Sequence, residues 1–330
     1  MGRRTTRRTF IKIAAATAAL GSTRLSAAPL VNGEVPRRPL GRTGVEVSIL
    51  ALGGAHLGVV QDEGDAIRIV QEAVDGGITF MDNAWEYANG RAEEIMGRGL
   101  KGRREKVFLM TKVCTHGRNA DVAMQQLEDS LRRLGTDHLD LWQVHEVIRH
   151  DDPDLHYAEG GVLEALDRAR QQGKVRFVGF TGHKHPDIHR EMLRRGYAFD
   201  TVQMPLNVFD GTFRSFEKHV LPEVNRRGMG AIGMKSLGGA GDPVRRGLVT
   251  PQEAIRYVLS LPIAALVSGI DSLQVLRQNL EIARTFRPMS PQEMQALRDR
   301  VAREARSGEL ELFKTTRTYD GALGRQVRGD

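Results

Sequence analysis

A chain of 330 residues carries a single cysteine, Cys114. One thiol excludes any intrachain disulfide and any metal site built from several cysteines. No apolar run approaches the ~20 residues that a membrane-spanning helix needs. No low-complexity tract concentrates the 36 glycines, and 40% hydrophobic with 27% charged residues excludes a disordered or collagen-like chain. A broad basic surface is missing too. The chain has 48 Lys and Arg against 41 Asp and Glu, but residues 1–28 hold six of the basic ones (Arg3, Arg4, Arg7, Arg8, Lys12 and Arg24) and no acid. The remaining 42 basic and 41 acidic residues nearly cancel, which argues against a nucleic-acid-binding face.

The N-terminus has the layout of an export signal. A basic segment precedes an Ala-rich apolar stretch from Ile13 to Leu20, and Ser26-Ala27-Ala28 offers a cleavage site after Ala28. Thr6-Arg7-Arg8-Thr9-Phe10-Ile11-Lys12 resembles a twin-arginine signal. The expectation is a signal peptide over 1–28, a partner in the twin-arginine export machinery, and a periplasmic or otherwise exported mature protein over 29–330. If the segment is only a basic tail, the protein stays cytoplasmic. A body without disulfides suits folding before export.

From residue 38 onward the hydrophobic period alternates. A hairpin is expected over 38–49, closed by a turn at Gly41–Gly44. Short apolar runs predict strands at 50–54, 78–81, 107–113, 139–144, 175–180, 201–204, 229–234 and 264–270. Helical spacing predicts helices between them, for example with Ala123, Leu127, Leu131 and Leu134 on one face. Strands that are apolar throughout belong to a parallel sheet covered on both faces. Eight strand–helix units in this length predict an α/β fold, a (β/α)8 TIM barrel, with an extra helix over 289–306 and a C-terminal tail over 307–330 wrapping the mouth. No Gly-x-Gly-x-x-Gly joins the first strand and helix, which disfavours the open dinucleotide-binding sheet.

Active sites of such barrels sit at the C-terminal strand ends. The second strand runs into Asp82, with Tyr87 in the loop beyond; the third ends at Lys112 and the fourth at His145. Each has a bland alternative: a helix cap, a loop aromatic, a solvated charge, a hydrogen-bonded core histidine. Together they suit carbonyl reduction. Tyr87 protonates the developing alkoxide, and Lys112 lowers the phenol pKa from its usual value near 10. Asp82 fixes Lys112, and a neutral His145 donates to the carbonyl oxygen. Cys114 is expected to be a structural thiol rather than a nucleophile. His183-Lys184-His185 lacks a further spaced ligand and is taken as a loop at the mouth, so no metal is expected.

Gly77-Ile78-Thr79-Phe80-Met81-Asp82-Asn83-Ala84-Trp85-Glu86-Tyr87, Thr111-Lys112-Val113 and Leu139-Asp140-Leu141-Trp142-Gln143-Val144-His145 resemble the aldo-keto reductases, over nearly all of 37–325. The resemblance implies the Asp82, Tyr87, Lys112, His145 tetrad, an extended nicotinamide dinucleotide and reduction of aldehydes or ketones. It also implies cofactor contacts at Gly54, Thr181 and Gln203. Gly182 stands where relatives have an amide residue, and Met234 where many have a stacking Tyr. Lys235, Ser236 and Leu237 would line the pyrophosphate path. Gly269 lies in the loop of 268–272, which leads into a helix N-terminus suited to an anion, and Gln278 and Asn279 fall where relatives contact adenine. The family favours NADP(H). Asp271 replaces a basic residue there and suits the ribose hydroxyl of NAD(H), although Arg277 is near enough to compensate. Trp85 and His183 are the expected substrate-pocket residues, for a small carbonyl or sugar-like substrate, and a monomer is the default. Two other readings remain open: a nucleotide-binding redox sensor with slow or no turnover, and a metal-dependent sugar isomerase, which needs more clustered carboxylates than this pattern shows.

Overall fold

The apolar runs become strands because each is buried on both faces, inside by its neighbours across a ring and outside by a helix. In this computed structural model, which describes residues 33–329, a hairpin of β1 (Arg37–Pro39) and β2 (Glu46–Ser48) precedes eight parallel strands. These are β3 (Leu50–Gly53), β4 (Phe80–Asp82), β5 (Phe108–Val113), β6 (Leu139–Val144), β7 (Val175–Thr181), β8 (Thr201–Pro205), β9 (Gly230–Met234) and β10 (Ala265–Gly269). They pair in sequence order, and β10 closes on β3. The expected (β/α)8 barrel is therefore present. The export signal expected within 1–28 lies outside the described residues.

The barrel interior is filled by Ala51, Phe80, Phe108, Met110, Leu141, Ile232 and Val267, with Leu40 and Val47 reaching in from the hairpin. Phe80 and Phe108 meet edge to face at 5.2 Å. Leu40 packs over Gly230, where a Cβ would fall 2.7 Å from the leucine Cδ1. Arg38 donates to the carbonyls of Leu259 and Ile263 at 2.8 and 2.9 Å. The hairpin thus plugs the end of the barrel where the strands begin and leaves the opposite end for chemistry.

Local chemistry sets the helix limits. Asp62 caps Glu63–Asp75 and Asn119 caps Ala120–Leu134, while Thr250 and Ser290 form capping boxes with Glu253 and Glu293. Ala120–Leu134 stops at Gly135, whose φ of 64° is open to glycine at little cost.

Three expectations shift. The first barrel strand stops at Gly53, because Gly54 opens a short helix, Gly54–Leu57. The second strand is Phe80–Asp82; it ends at Asp82 as expected but begins at Phe80 rather than Ile78. The extra helix covers only Pro291–Arg300. The tail then folds as two short helices, Leu312–Thr315 and Ala322–Arg328. No described helix is long and apolar enough to cross a membrane.

Candidate active site

Adjacent strands β4 and β5 set Asp82 beside Lys112. The lysine is 1% exposed. Its ammonium donates to both Asp82 oxygens, at 2.9 and 2.8 Å, and to the Asn83 carbonyl at 2.7 Å. Three hydrogens meet three acceptors, so this ion pair is fully satisfied and rigid. Gln203, expected at the end of its strand but in the middle of β8, donates to Asp82 Oδ2 at 3.1 Å, and its own Oε1 is buried without a partner.

Tyr87 opens the turn after β4, with the Lys112 ammonium 5.0 Å from its ring centroid. The His145 ring stands edge-on to it at 5.8 Å. The phenol is not lowered, contrary to expectation. Burial pushes its pKa well above the ordinary value, and the carboxylates of Asp82 and Glu86 add to the shift. Lys112 cannot reverse this, since Asp82 neutralises it and takes its hydrogens. Tyr87 therefore holds its proton at neutral pH.

His145 follows β6. Its Nδ1 lies 3.1 Å from Glu86 Oε1 and 3.4 Å from Cys114 Sγ, which occupies that nitrogen within the protein. Nε2 is left for a ligand, with Glu146 Oε2 3.9 Å away.

Tyr87, Lys112, His145, Thr181, Met234 and Lys235 line one cavity of about 550 Å³, together with Trp85 and His183. Trp85 is steadied by Asp129, which accepts from its indole at 3.3 Å, and by the Arg133 guanidinium over its ring at 5.3 Å. The other expected cofactor residues are not brought to this cavity. Gly54 sits against the Asn83 amide, which leaves no room for a Cβ. Asn279 is buried and donates to Ser268 Oγ at 3.0 Å. Ser236 is buried and Leu237 packs partly against the core. Gly269, Asp271 and Gln278 are exposed. Arg277, the expected compensating cation, is engaged with both Glu72 oxygens at 3.1–3.2 Å.

Sequence reasoning missed the carboxylates around His145. Burial works to raise the Glu86 pKa, yet the His116 and His145 imidazoles outweigh it and hold the carboxyl well below its usual range. Glu146 faces His183 at 3.4 Å and accepts from the Gly321 amide at 2.7 Å. Burial lowers the His183 pKa and so favours its neutral form. Tyr319, Gly321 and Gln326 of the tail also line the cavity. The signals available were adjacency alone: Glu86 precedes Tyr87, and Glu146 follows His145.

Comparison with known proteins points to one family. The aldo/keto reductase family model matches residues 49–241. The uncharacterized oxidoreductase YrpG of Bacillus subtilis is 34% identical over 61% of this chain, and the match spans 66% of YrpG. L-galactose dehydrogenase of Arabidopsis thaliana is 30% identical over 66% of this chain and 68% of its own. The holo form of an aldo-keto reductase from Bacillus halodurans superposes with a TM-score of 0.68 at 26% identity, covering 80% of this chain and 95% of the other.

Proposed function

The chain belongs to the aldo/keto reductase family, and from that premise we propose that it reduces a small carbonyl substrate with a nicotinamide dinucleotide, Tyr87 giving the proton. The observation that carries this reading is the shared cavity: a phenol that burial keeps protonated stands beside the free Nε2 side of a fixed imidazole. The substrate oxygen would sit between them, with His145 positioning it and Tyr87 protonating it as charge develops. Lys112 and Asp82, locked together, hold the floor under Tyr87 and keep its ring from moving.

The residues fit the cofactor. The orphaned Gln203 Oε1 suits the N–H of a carboxamide, and the Lys235 side chain in the cavity wall suits a pyrophosphate. When bound, the nicotinamide supplies the hydride. At the adenosine end, the exposed Asp271 and the Glu72-bound Arg277 support NAD(H) over the family's NADP(H). A lower KM for NADPH than for NADH would overturn that preference. The polar wall of Glu146, His183, Lys235 and Gln326 supports a hydroxylated, sugar-like carbonyl compound. It should show a higher kcat/KM than an aliphatic aldehyde of equal size.

Replacing Tyr87 by Phe should lower kcat about 10²- to 10⁴-fold and leave cofactor binding unchanged. A variant as fast as the wild type sinks the mechanism. Because the phenol pKa is raised, the phenolate needed for alcohol oxidation grows about tenfold per pH unit across the neutral and mildly alkaline range. Reduction should therefore dominate at pH 7, and oxidation should climb without a plateau up to pH 9. We also read residues 1–28 as a twin-arginine signal, supported by Arg7-Arg8 and the Ala-rich stretch. Changing both arginines to lysine should retain the protein in the cytoplasm, and unaltered export would refute the signal.

A further inference from the structure

The loops after three neighbouring strands bring four metal-ligating side chains to one point behind the cavity. Glu86 follows β4, Cys114 and His116 follow β5, and His145 follows β6. We propose that Glu86, Cys114, His116 and His145 bind one zinc-class divalent cation, and that this binding shuts off carbonyl reduction.

The distances suit a four-coordinate ion. The Glu86, Cys114 and His116 ligand atoms lie within 4.8 Å of one another. His116 Nε2 is 3.7 Å from Glu86 Oε2, and His145 Nδ1 is 3.1 Å from Glu86 Oε1 and 3.4 Å from Cys114 Sγ. Around tetrahedral zinc, with bonds of about 2.0–2.3 Å, neighbouring ligand atoms stand roughly 3.3–3.8 Å apart. The separations of 3.1, 3.4 and 3.7 Å fall in or close to that range, and the remaining ligand pairs would draw together by side-chain rotation around the ion.

His116 is the independent pointer to a ligand. Its side chain is 5% exposed, yet its Nε2 has no hydrogen-bond partner. A buried, unpaired ring nitrogen is costly, and a cation would satisfy it. Charge balance agrees: one thiolate and one carboxylate cancel a dication, so the filled site is neutral.

The cluster is also built rather than accidental. Gln126 clamps the Cys114 backbone from both sides, accepting from its amide at 2.7 Å and donating to its carbonyl at 3.1 Å. The tail roofs the site, and it does so with glycines. A Cβ at Gly321 would fall 2.7 Å from the Glu86 carboxylate, and one at Gly324 would fall 2.8 Å from the His116 ring. Glu86 and His145 also line the catalytic cavity, which gives an ion its way in. Binding would draw the His145 ring toward the ion through Nδ1 and take Glu86 off it, moving Nε2 from the place where it meets the substrate oxygen. This last step rests on the proposed reductase reading, but the binding itself does not.

The test uses cobalt(II) and zinc with the purified full chain. Cobalt should bind one per chain and give a thiolate charge-transfer band. Cys114 is the only cysteine, so the band has one possible source. Zinc should displace cobalt and inhibit reduction. Cys114→Ala should abolish the band. His116→Asn keeps a side chain that tolerates the φ of 50° at this position. It should retain activity without metal, weaken cobalt binding at least about tenfold and relieve zinc inhibition. Absence of the band at saturating cobalt overturns the proposal, as does unchanged cobalt affinity in His116→Asn. Zinc inhibition without the band would place the inhibition elsewhere and overturn it as well. The band requires no turnover, so it separates this site from the reductase reading.

Discussion

Lys235 points its ammonium at the rings of Phe313 and Tyr319, at 5.4 and 5.1 Å from their centroids. Burial lowers its pKa from 10.5 to about 8. A lysine whose pKa falls on folding opposes the fold while charged. That cost is full below pH 8 and fades as pH rises from about 8 to 10.5. Lys235→Met should therefore raise the Tm of the cofactor-free protein at pH 7, and the gain should shrink by pH 10. The same variant should raise the KM for cofactor much more than it changes kcat. Calorimetry at the two pH values and steady-state kinetics check both halves. A Tm that falls at pH 7 would show that the anionic neighbour Glu146 outweighs burial. Together the two results would mark Lys235 as a group kept against stability for the sake of an anionic ligand.

Among the elements, the C-terminal tail forms a strap tied to the barrel at a buried cation. Lys314 donates to Asp210 Oδ1 at 2.7 Å and to the Phe213 carbonyl at 2.8 Å, and Glu311 Oε1 lies 2.8 Å away. All three charged side chains are fully buried. Two carboxylates share one ammonium, and Asn207 adds a hydrogen bond to Glu311 at 2.9 Å. Burial, with Asp210 adding to it, pushes Glu311 up to about 7. An acid raised on folding favours the fold while protonated, so this contribution falls between pH 4.5 and about 7 and is level above. Lys314→Met strands two carboxylates and should cost about 3–5 kcal/mol in urea unfolding, more at pH 8 than at pH 5. A loss independent of pH would mean that packing, not charge, holds the strap. Lys184 forms a second clasp, donating to the Thr316 carbonyl and to Asp320.

For the molecule as a whole, the hairpin plug and the candidate site sit at opposite ends of the barrel. Leu40 fills the plugged end, 0% exposed, against Gly230 and the first residues of the neighbouring strands. Tyr87, Lys112 and His145 stand at the other. Leu40→Ala should cost about 2–5 kcal/mol through the cavity it leaves, with kcat and KM unchanged while the protein remains folded. Denaturant titration and kinetics on one preparation decide this. A changed kcat would show that the barrel transmits strain from end to end.

The sequence by itself determined the barrel, because strand and helix periods are local and eight alternations leave few ways to close. Asp82, Lys112 and His145 were equally legible, since the fold sends every strand end to one face and a strand end can be counted. Tertiary structure decided what position along the chain does not encode. Gly54 opens a helix instead of ending the strand, and the Asn83 amide from the next loop stands where its Cβ would be. Arg277 was matched to Glu72, 205 residues away, rather than left free. The Tyr87 phenol shifted up instead of down, because burial and the neighbouring Asp82 and Glu86 carboxylates overrode a lysine already committed to Asp82. The donors at 86, 114, 116 and 145 were invisible as a set, since they come from three separate loops. Local pattern fixes which way each segment faces. Burial, charge balance and donor geometry depend on the neighbours that only closure of the ring brings together.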